Sequence, residues 1–529
     1  MTITEPLPAG APWLTILVAL PALAALVVGF VPAARRSGRP IALGVSLVEL
    51  VLAVIAATSF DWTQAGTYQL LESHSWIPQI GVTWALSVNA LGLVMLLLAA
   101  ALVPLVLIAG WKEDEDASSA GAYAALVLCL EAFMVLIFAA FDIVVFYIAF
   151  EAMLIPLYFM IGRFGVGDPE VRRRAALKFL LYSLAGGLAM LGGLVAMWAH
   201  APADHLSSAF RLDVAASYTG GFSWALQMGI FVSFMIAFAI KAPMVPVHTW
   251  LPDTAAVARP GTSVLLVGVL DKIGTFGMIV FCLRLFPDAS QSAKWVLVAL
   301  AILSILWGGL AAIGQDDIMR LVSYTSVSHF GFMVLGIFVG SSIALTGAMF
   351  YMVAHGVSIA AMFLISGFLT QRGGSRSIAE YGGWQRVTPL IAGTWLVAGL
   401  ASVALPGLSG FVPEYLVLMG TWKVSVLAAV LAVFGVIIAA LYLLWPYQKI
   451  FTGPVPQGRT VADMDVREKT VVTPLIAAMA VLGIWSAPLV GALTPVAEDA
   501  VQAVATAQSQ TSVAPTASAL AGADEGSTK

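Results

Sequence analysis

Runs of about twenty apolar residues recur along nearly the whole chain, and they leave it one solvent and one kind of element. A helix rises about 1.5 Å per residue, so roughly twenty residues cross a hydrocarbon layer of roughly 30 Å. In that layer every backbone N–H and C=O must find its partner inside the protein, which a helix achieves within one segment. Fourteen runs qualify: 11–32, 40–59, 84–110, 120–140, 142–162, 175–199, 224–247, 259–283, 295–314, 318–340, 343–370, 388–419, 424–452 and 472–494. The composition agrees, with 60% hydrophobic residues, 10% charged and a mean hydropathy of +0.96, whereas a soluble globule carries charge on about a quarter of its residues. The predicted fold is an all-α polytopic membrane protein with 14 transmembrane helices.

Charge sets the expected orientation. The flank MTITEPLPAGAP before the first run has no Lys or Arg, while Arg35, Arg36 and Arg39 follow it. This predicts a retained helix with its N-terminus outside, not a cleaved signal. An even number of spans then puts both termini outside. Most of the 25 Lys and Arg fall in loops expected inside, against Arg211, Arg284, Lys294, Lys423 and Lys529 outside, as the positive-inside rule requires. Residues 60–83 read as a small outside hairpin, and residues 496–529 as a disordered tail. The expected division is 1–119 for the first three helices, 120–283 and 295–452 for two repeats, and 453–495 for an inside loop with helix 14. Cys129 and Cys282 stand singly in apolar runs, so no iron–sulfur or zinc spacing exists, and no glycine loop suits a nucleotide. No cofactor, metal or nucleic acid is expected on this chain.

Two spans are interrupted alike. The seventh ends in Lys241-Ala-Pro243-Met-Val-Pro246, and the twelfth contains ALPGLSGFVPEY, with Pro406, Gly407, Pro413 and then Glu414. Glu151 precedes Lys241 at nearly the spacing by which His329 precedes Glu414. Broken helices at corresponding positions of two halves point to an ion site between repeats, because unbonded backbone is tolerated at depth only beside a polar path. A charge at the bilayer centre costs at least about 2.5–3.5 kcal/mol and needs a partner or water. Glu151, Lys241, Lys272, His329, His355 and Glu414 form the predicted proton-translocating set, with histidine suited to relay. Lys241 is the expected partner of Glu151. Lys272 lies on a stripe with Gly261, Gly268 and Thr275, too deep to snorkel easily. Asp271 points about 100° away from it. Glu131, Lys178 and Asp271 are possible auxiliaries, Lys178 being near enough to the inside end to snorkel. His74, His200, His205 and His248 read as loop or interfacial residues.

The stretches FYIAFEAMLIPLYFMIG, KAPMVPVHTWLPD, GTSVLLVGVLDKIGTFG, GQDDIMRLVSYTSVSHFGFMVLGI, YMVAHG and LPGLSGFVPEYLVLMG resemble the antiporter-like subunits of proton-pumping NADH:quinone oxidoreductase, respiratory complex I. Among these the chain is most similar to the M type, counterpart of mitochondrial NADH dehydrogenase subunit 4. The resemblance covers most of residues 120–420. It implies fourteen helices with two inverted five-helix repeats, helices 4–8 and 9–13, broken at helices 7 and 12. It also implies proton transfer through the six residues above. Its partners would be membrane lipid and other membrane-arm subunits, especially the L-type and N-type ones, in the cell (inner or plasma) membrane. NADH, FMN, iron–sulfur clusters and quinone would belong to other subunits. Glutamate at 414 is similar to the M type, where the L and N types have lysine, and the lack of a long C-terminal amphipathic helix argues against the L type. Arg259 in the loop after WLPD, Asp271 before the lysine and Pro413 before Glu414 depart from the family pattern. The rivals are an Mrp-type cation/proton antiporter subunit, a hydrogenase-complex membrane subunit and a passive spacer.

Overall fold

In the computed structural model, residues 3, 6–114, 116–454 and 461–513 are described, with 506–513 by backbone alone. The chain opens with α1 (Trp13–Phe30), α2 (Pro32–Arg36) and α3 (Gly38–Thr58). The first amides of α1 lack intrahelical partners and carry the positive end of its dipole. Glu72 meets both needs, accepting from Leu14 N at 2.7 Å and Thr15 N at 3.0 Å. Glu72 lies on β1 (Gln69–Ile77), paired antiparallel with β2 (Val82–Val88) through a turn at Gly81, whose φ of +75° suits a residue without Cβ. The expected hairpin therefore forms, but its second strand runs to Val88. The third span starts at Ala90 rather than at 84, where Asn89 caps it by accepting from Gly92 N.

The first half of the bundle comprises α4 (Ala90–Ala109), α5 (Ala117–Ala139), α6 (Ile143–Ala152), α7 (Leu154–Gly162), α8 (Pro169–Ala199), the short α9 (Leu212–Thr219), α10 (Trp224–Lys241), α11 (Trp250–Ala255), α12 (Pro260–Leu265) and α13 (Lys272–Gly277). The span expected at 142–162 is one span, Ile143–Gly162, made of two helices joined at Met153, two residues after Glu151. Pro156 explains the joint, since its ring cannot donate to Ala152 and crowds that carbonyl. Helix α10 stops at Lys241, and the segment with Pro243 and Pro246 is non-helical, as expected. Between α12 and α13 lies a π-helical turn, Leu266–Leu270, and a second, Met278–Leu283, follows α13. Together they make one wholly buried span, Pro260–Leu283.

The second half comprises α14 (Pro287–Ile313), α15 (Ile318–Phe338), α16 (Ser342–Gly373), α17 (Pro389–Ser402), α18 (Phe411–Val424), α19 (Val426–Phe451), α20 (Val466–Ile484) and α21 (Ala487–Val513). The interval expected as the twelfth span is α17 and α18, 14 residues each, separated by a break in which Ala404 and Gly407 have φ of +57° and +90°. The end differs from expectation. Residues 496–513 are helical instead of disordered, α20 and α21 being bent by 69°. Leu493, Val496, Ala497 and Ala500 are buried, so this helix has an apolar face that packs. Residues 514–529 of the expected tail, and Arg459, lie outside the described residues. Among the described residues twelve helices are long and apolar enough to cross a membrane, thirteen if the bent pair counts as one span. That is fewer than the fourteen expected, and the broken α17–α18 interval lies outside this count.

Candidate functional site

Lipid-facing helices such as α3 and α19 expose Leu, Val and Ile, whereas the Pro260–Leu283 span, α15 and α16 are buried almost throughout. Burial of whole helices inside other helices is what allows ionisable side chains at depth without contact with hydrocarbon. Lys272 sits on the first of these helices and is 0% exposed. Its ammonium donates to Val267 O at 2.7 Å and lies 2.9 Å from His355 Nδ1 on α16, with the Phe330 ring centroid at 5.3 Å. The π-helical turn matters here, because widening the ladder frees Val267 O from its ordinary helical role.

From His355 the polar groups continue as neighbouring rings. The His355 and His329 ring centroids are 5.1 Å apart, and His355 Nε2 is buried without a hydrogen-bond partner. His329 Nε2 lies 3.1 Å from the Tyr442 hydroxyl of α19, and the Tyr351 ring is 5.8 Å away. Tyr351 in turn donates to Glu414 Oε2 at 2.8 Å. Glu414 opens α18 just beyond the break, where a proline at 413 is harmless because first-turn amides have no intrahelical acceptor. Gly347 keeps α16 against that turn, since a Cβ on it would lie 2.8 Å from Pro413 O. Four predicted residues, Lys272, His355, His329 and Glu414, are thus brought into one line.

Glu151 and Lys241 form the other end. Lys241 is 1% exposed, with Ser183 Oγ of α8 at 3.5 Å and the Phe150 and Phe179 ring centroids each at 5.2 Å. Glu151 stands close enough to interact with it electrostatically, yet its Oε1 is buried without a hydrogen-bond partner. Its carboxylate lies against Gly187 of α8, where a Cβ would collide with it.

The auxiliaries separate. Glu131 is 0% exposed with both oxygens unpartnered, and its charged neighbour is Glu49 of α3 rather than either lysine. Lys178 does not end free but binds the neighbouring α11 segment, at Asp253 Oδ2 (2.6 Å) and Thr249 O (2.9 Å). Arg320 of α15 takes Asp253 Oδ1 at 2.6 Å, so the segment beyond the first break is tied to both halves. Asp271 is 0% exposed and electrostatically close to both Lys272 and Lys241. His248 lies, as expected, in the loop between α10 and α11, and is buried there.

The sequence reading passed over Tyr442 and Ser183. Tyrosine and serine carry no mandatory charge, so burial costs them little and leaves no signal in an apolar run. It also gave Arg259 no partner. The guanidinium binds Asp114 Oδ2 and Oδ1 at 2.7 and 2.8 Å, donates to Phe164 O at 2.6 Å and lies over the Tyr123 ring. This fork holds the Asp114 carboxyl below the usual aspartate range, while burial pushes neighbouring Glu113 up. Arg259, Glu113, Lys112, Asp168 and Arg376 line a cavity of about 930 Å³ at the end of the bundle where α12 begins.

Comparison with known proteins bears on this arrangement. Residues 140–439 match the family described as NADH:quinone oxidoreductase/Mrp antiporter, transmembrane. The chain is 44% identical over 520 residues to NADH-quinone oxidoreductase subunit M of Mycobacterium tuberculosis, covering 92% of this chain and 94% of that one. It is 34% identical to the subunit M of Rhodobacter capsulatus, over 89% and 93% of the two chains. Among solved structures, a chain of respiratory complex I from Thermus thermophilus with bound NADH superposes with a TM-score of 0.82 at 29% identity, covering 93% and 99%. A chain of the Mrp complex from Dietzia sp. superposes with a TM-score of 0.81 at 22% identity, covering 93% and 98%, which shows a shared fold.

Proposed function

Because this chain belongs to the NADH:quinone oxidoreductase/Mrp antiporter transmembrane family, we propose that it moves protons across the membrane as a membrane-arm subunit of a NADH:quinone oxidoreductase. NADH oxidation and quinone reduction take place on other subunits, which in this reading hold the FMN and iron–sulfur clusters. The observation that carries the proposal is the line of buried ionisable and hydroxyl groups from Lys272 through His355, His329 and Tyr351 to Glu414. For a buried lysine desolvation opposes the charge and a nearby acid favours it, and Lys241, among the Phe150 and Phe179 rings, has Glu151 as that acid. Moving Glu151 toward or away from Lys241 shifts that balance and so drives capture or release of a proton. Glu414, beside the second break, is the exit group. The cavity at Arg259 and Glu113 offers protons an aqueous entrance on the side rich in Lys and Arg.

The finer architecture belongs to the same proposal. Counting α17, the break and α18 as one crossing, and α20 with α21 as another, gives fourteen spans, with helices 4–8 and 9–13 as inverted repeats and both termini outside. The partners are L-type and N-type subunits in the cell membrane. The Mrp-type antiporter remains the rival, but its likeness extends to the fold alone, while 44% identity runs through a subunit M.

The test is Lys241→Ala in the assembled complex. NADH-driven proton pumping and quinone-linked turnover are expected to fall by about a hundredfold or more, the scale of a lost acid–base group, while NADH oxidation by an artificial acceptor persists. Unchanged pumping with intact assembly would defeat the relay and leave a passive spacer. Copurification without flavin and iron–sulfur subunits would favour the antiporter.

A further inference from the structure

The span Pro260–Leu283 presents two differently charged faces to its two sides. Gly274 lies so close to the end of α10 that a Cβ there would be 2.5 Å from Phe238 O and 2.6 Å from Ala242 N. Residues three apart share a helix face, so Asp271 lies on the side turned to the C-terminal end of α10, where Lys241 is. Gly268 lies instead against α16, a Cβ on Gly356 falling 3.0 Å from Gly268 O. Lys272, four residues on, shares that face and meets His355. Consecutive residues point about 100° apart, and the span therefore separates the lysine of one line from an acid facing the other.

Asp271 has no other role in view. It is 0% exposed, both carboxylate oxygens lack a hydrogen-bond partner, and the charges acting on it are Lys272 and Lys241. It caps no helix with its side chain. An acid buried in this way is costly unless it is paired or protonated. Without it, the sequence of polar groups has a gap between Lys241, which donates to Ser183 Oγ, and Lys272.

We propose that Asp271 is the bridge between the two halves, passing protons laterally from Lys241 to Lys272; this rests on the proton-path reading above. The step balances within the protein. An N–H bond of the Lys241 ammonium breaks as an O–H bond forms on an Asp271 carboxylate oxygen. That O–H then breaks as a proton joins the neutral amine of Lys272, directly or through one water. Asp271 ends as the carboxylate it began as, and the charge moves one lysine further. The acid is a positioning and relay group suited by chemistry to this place, since it can face a cation on either side without a competing hydrogen bond.

The experiment compares Asp271→Asn, Asp271→Glu, Lys241→Ala and Lys272→Ala in the assembled complex in everted membrane vesicles, measuring protons pumped per NADH oxidised and NADH oxidation by an artificial acceptor. Asp271→Asn, nearly isosteric, is expected to lower pumping by at least about tenfold with the artificial-acceptor rate unchanged. Asp271→Glu is expected to recover most of it. Adding Asp271→Asn to Lys241→Ala is expected to cause no further loss, because both act on one path. If Asp271→Asn pumps like the parent while both lysine variants fail, the bridge is wrong and the relay stands. If none of the three matters, the relay is wrong and the bridge with it. A loss that Asp271→Glu does not recover, accompanied by a fallen artificial-acceptor rate, would make Asp271 a packing residue and overturn the proposal.

Discussion

At the residue scale, the hydroxyls are as consequential as the charges. Tyr351 gives Glu414 a buried donor at 2.8 Å, a bond to an acid that is worth about 1.5–3 kcal/mol when charged. Tyr351→Phe is expected to lower pumping by roughly tenfold or more without loss of subunit, measured as proton uptake into everted vesicles; parental pumping would place Tyr351 outside the path. Outside the spans, Asp114 and Arg259 are 11% and 12% exposed at their side chains and doubly bonded. Breaking a buried pair by removing one partner costs about 3–5 kcal/mol, so Asp114→Asn should lower the thermal unfolding temperature of the purified complex. The sign with pH follows from Arg259 holding the Asp114 carboxyl below its ordinary value. The stabilisation is complete above the unfolded aspartate value, about 3.9, and is lost as pH falls through the lower folded value. Stability scans in acid should therefore diverge least between parent and variant at the lowest pH.

At the element scale, breaks and close approaches decide where the groups meet. Gly274 is required because the end of α10 presses on it. Gly274→Leu is expected to push the two helices apart and abolish pumping even if every ionisable residue is retained, checked by assembly on native gels and by vesicle pumping; parental pumping would show that the contact is dispensable. Much at this scale was legible from the sequence. Pro243 and Pro246 ended a helix beside Lys241, and Pro406 and Gly407 opened one before Glu414, because proline and glycine act locally. The π-helical turns flanking Lys272 were not legible. They arise where packing around a whole span outweighs the local preference for 3.6 residues per turn, and ordinary apolar residues such as Val267 and Ile279 carry no mark of it. The helical end of α21 was missed for a related reason. Alanine-rich sequence is ambiguous until a neighbouring surface receives Leu493, Val496, Ala497 and Ala500.

At the scale of the whole molecule, orientation is the prediction that follows from charge. With basic residues gathered on one side, a tag at the C-terminus should be accessible to a membrane-impermeant reagent in intact cells, and a cysteine introduced beside Arg173 should not. The reverse labelling would invert the topology and with it the direction of the proposed entrance.

Taken by itself, the amino-acid sequence determined the solvent, the helical class, the main breaks and the short roster of ionisable residues at depth. Each follows from a cost paid locally: backbone bonding in hydrocarbon, the missing amide of proline, the desolvation of a charge. The tertiary structure decided which of those residues meet. It set Lys272 against His355 and Glu414 against Tyr351, drew Lys178 to Asp253, left Glu131 near Glu49, and placed Asp271 close to both lysines. Pairing depends on helix rotation and crossing, which arise from side chains far apart in the chain filling one interior, and no single stretch of sequence contains that information.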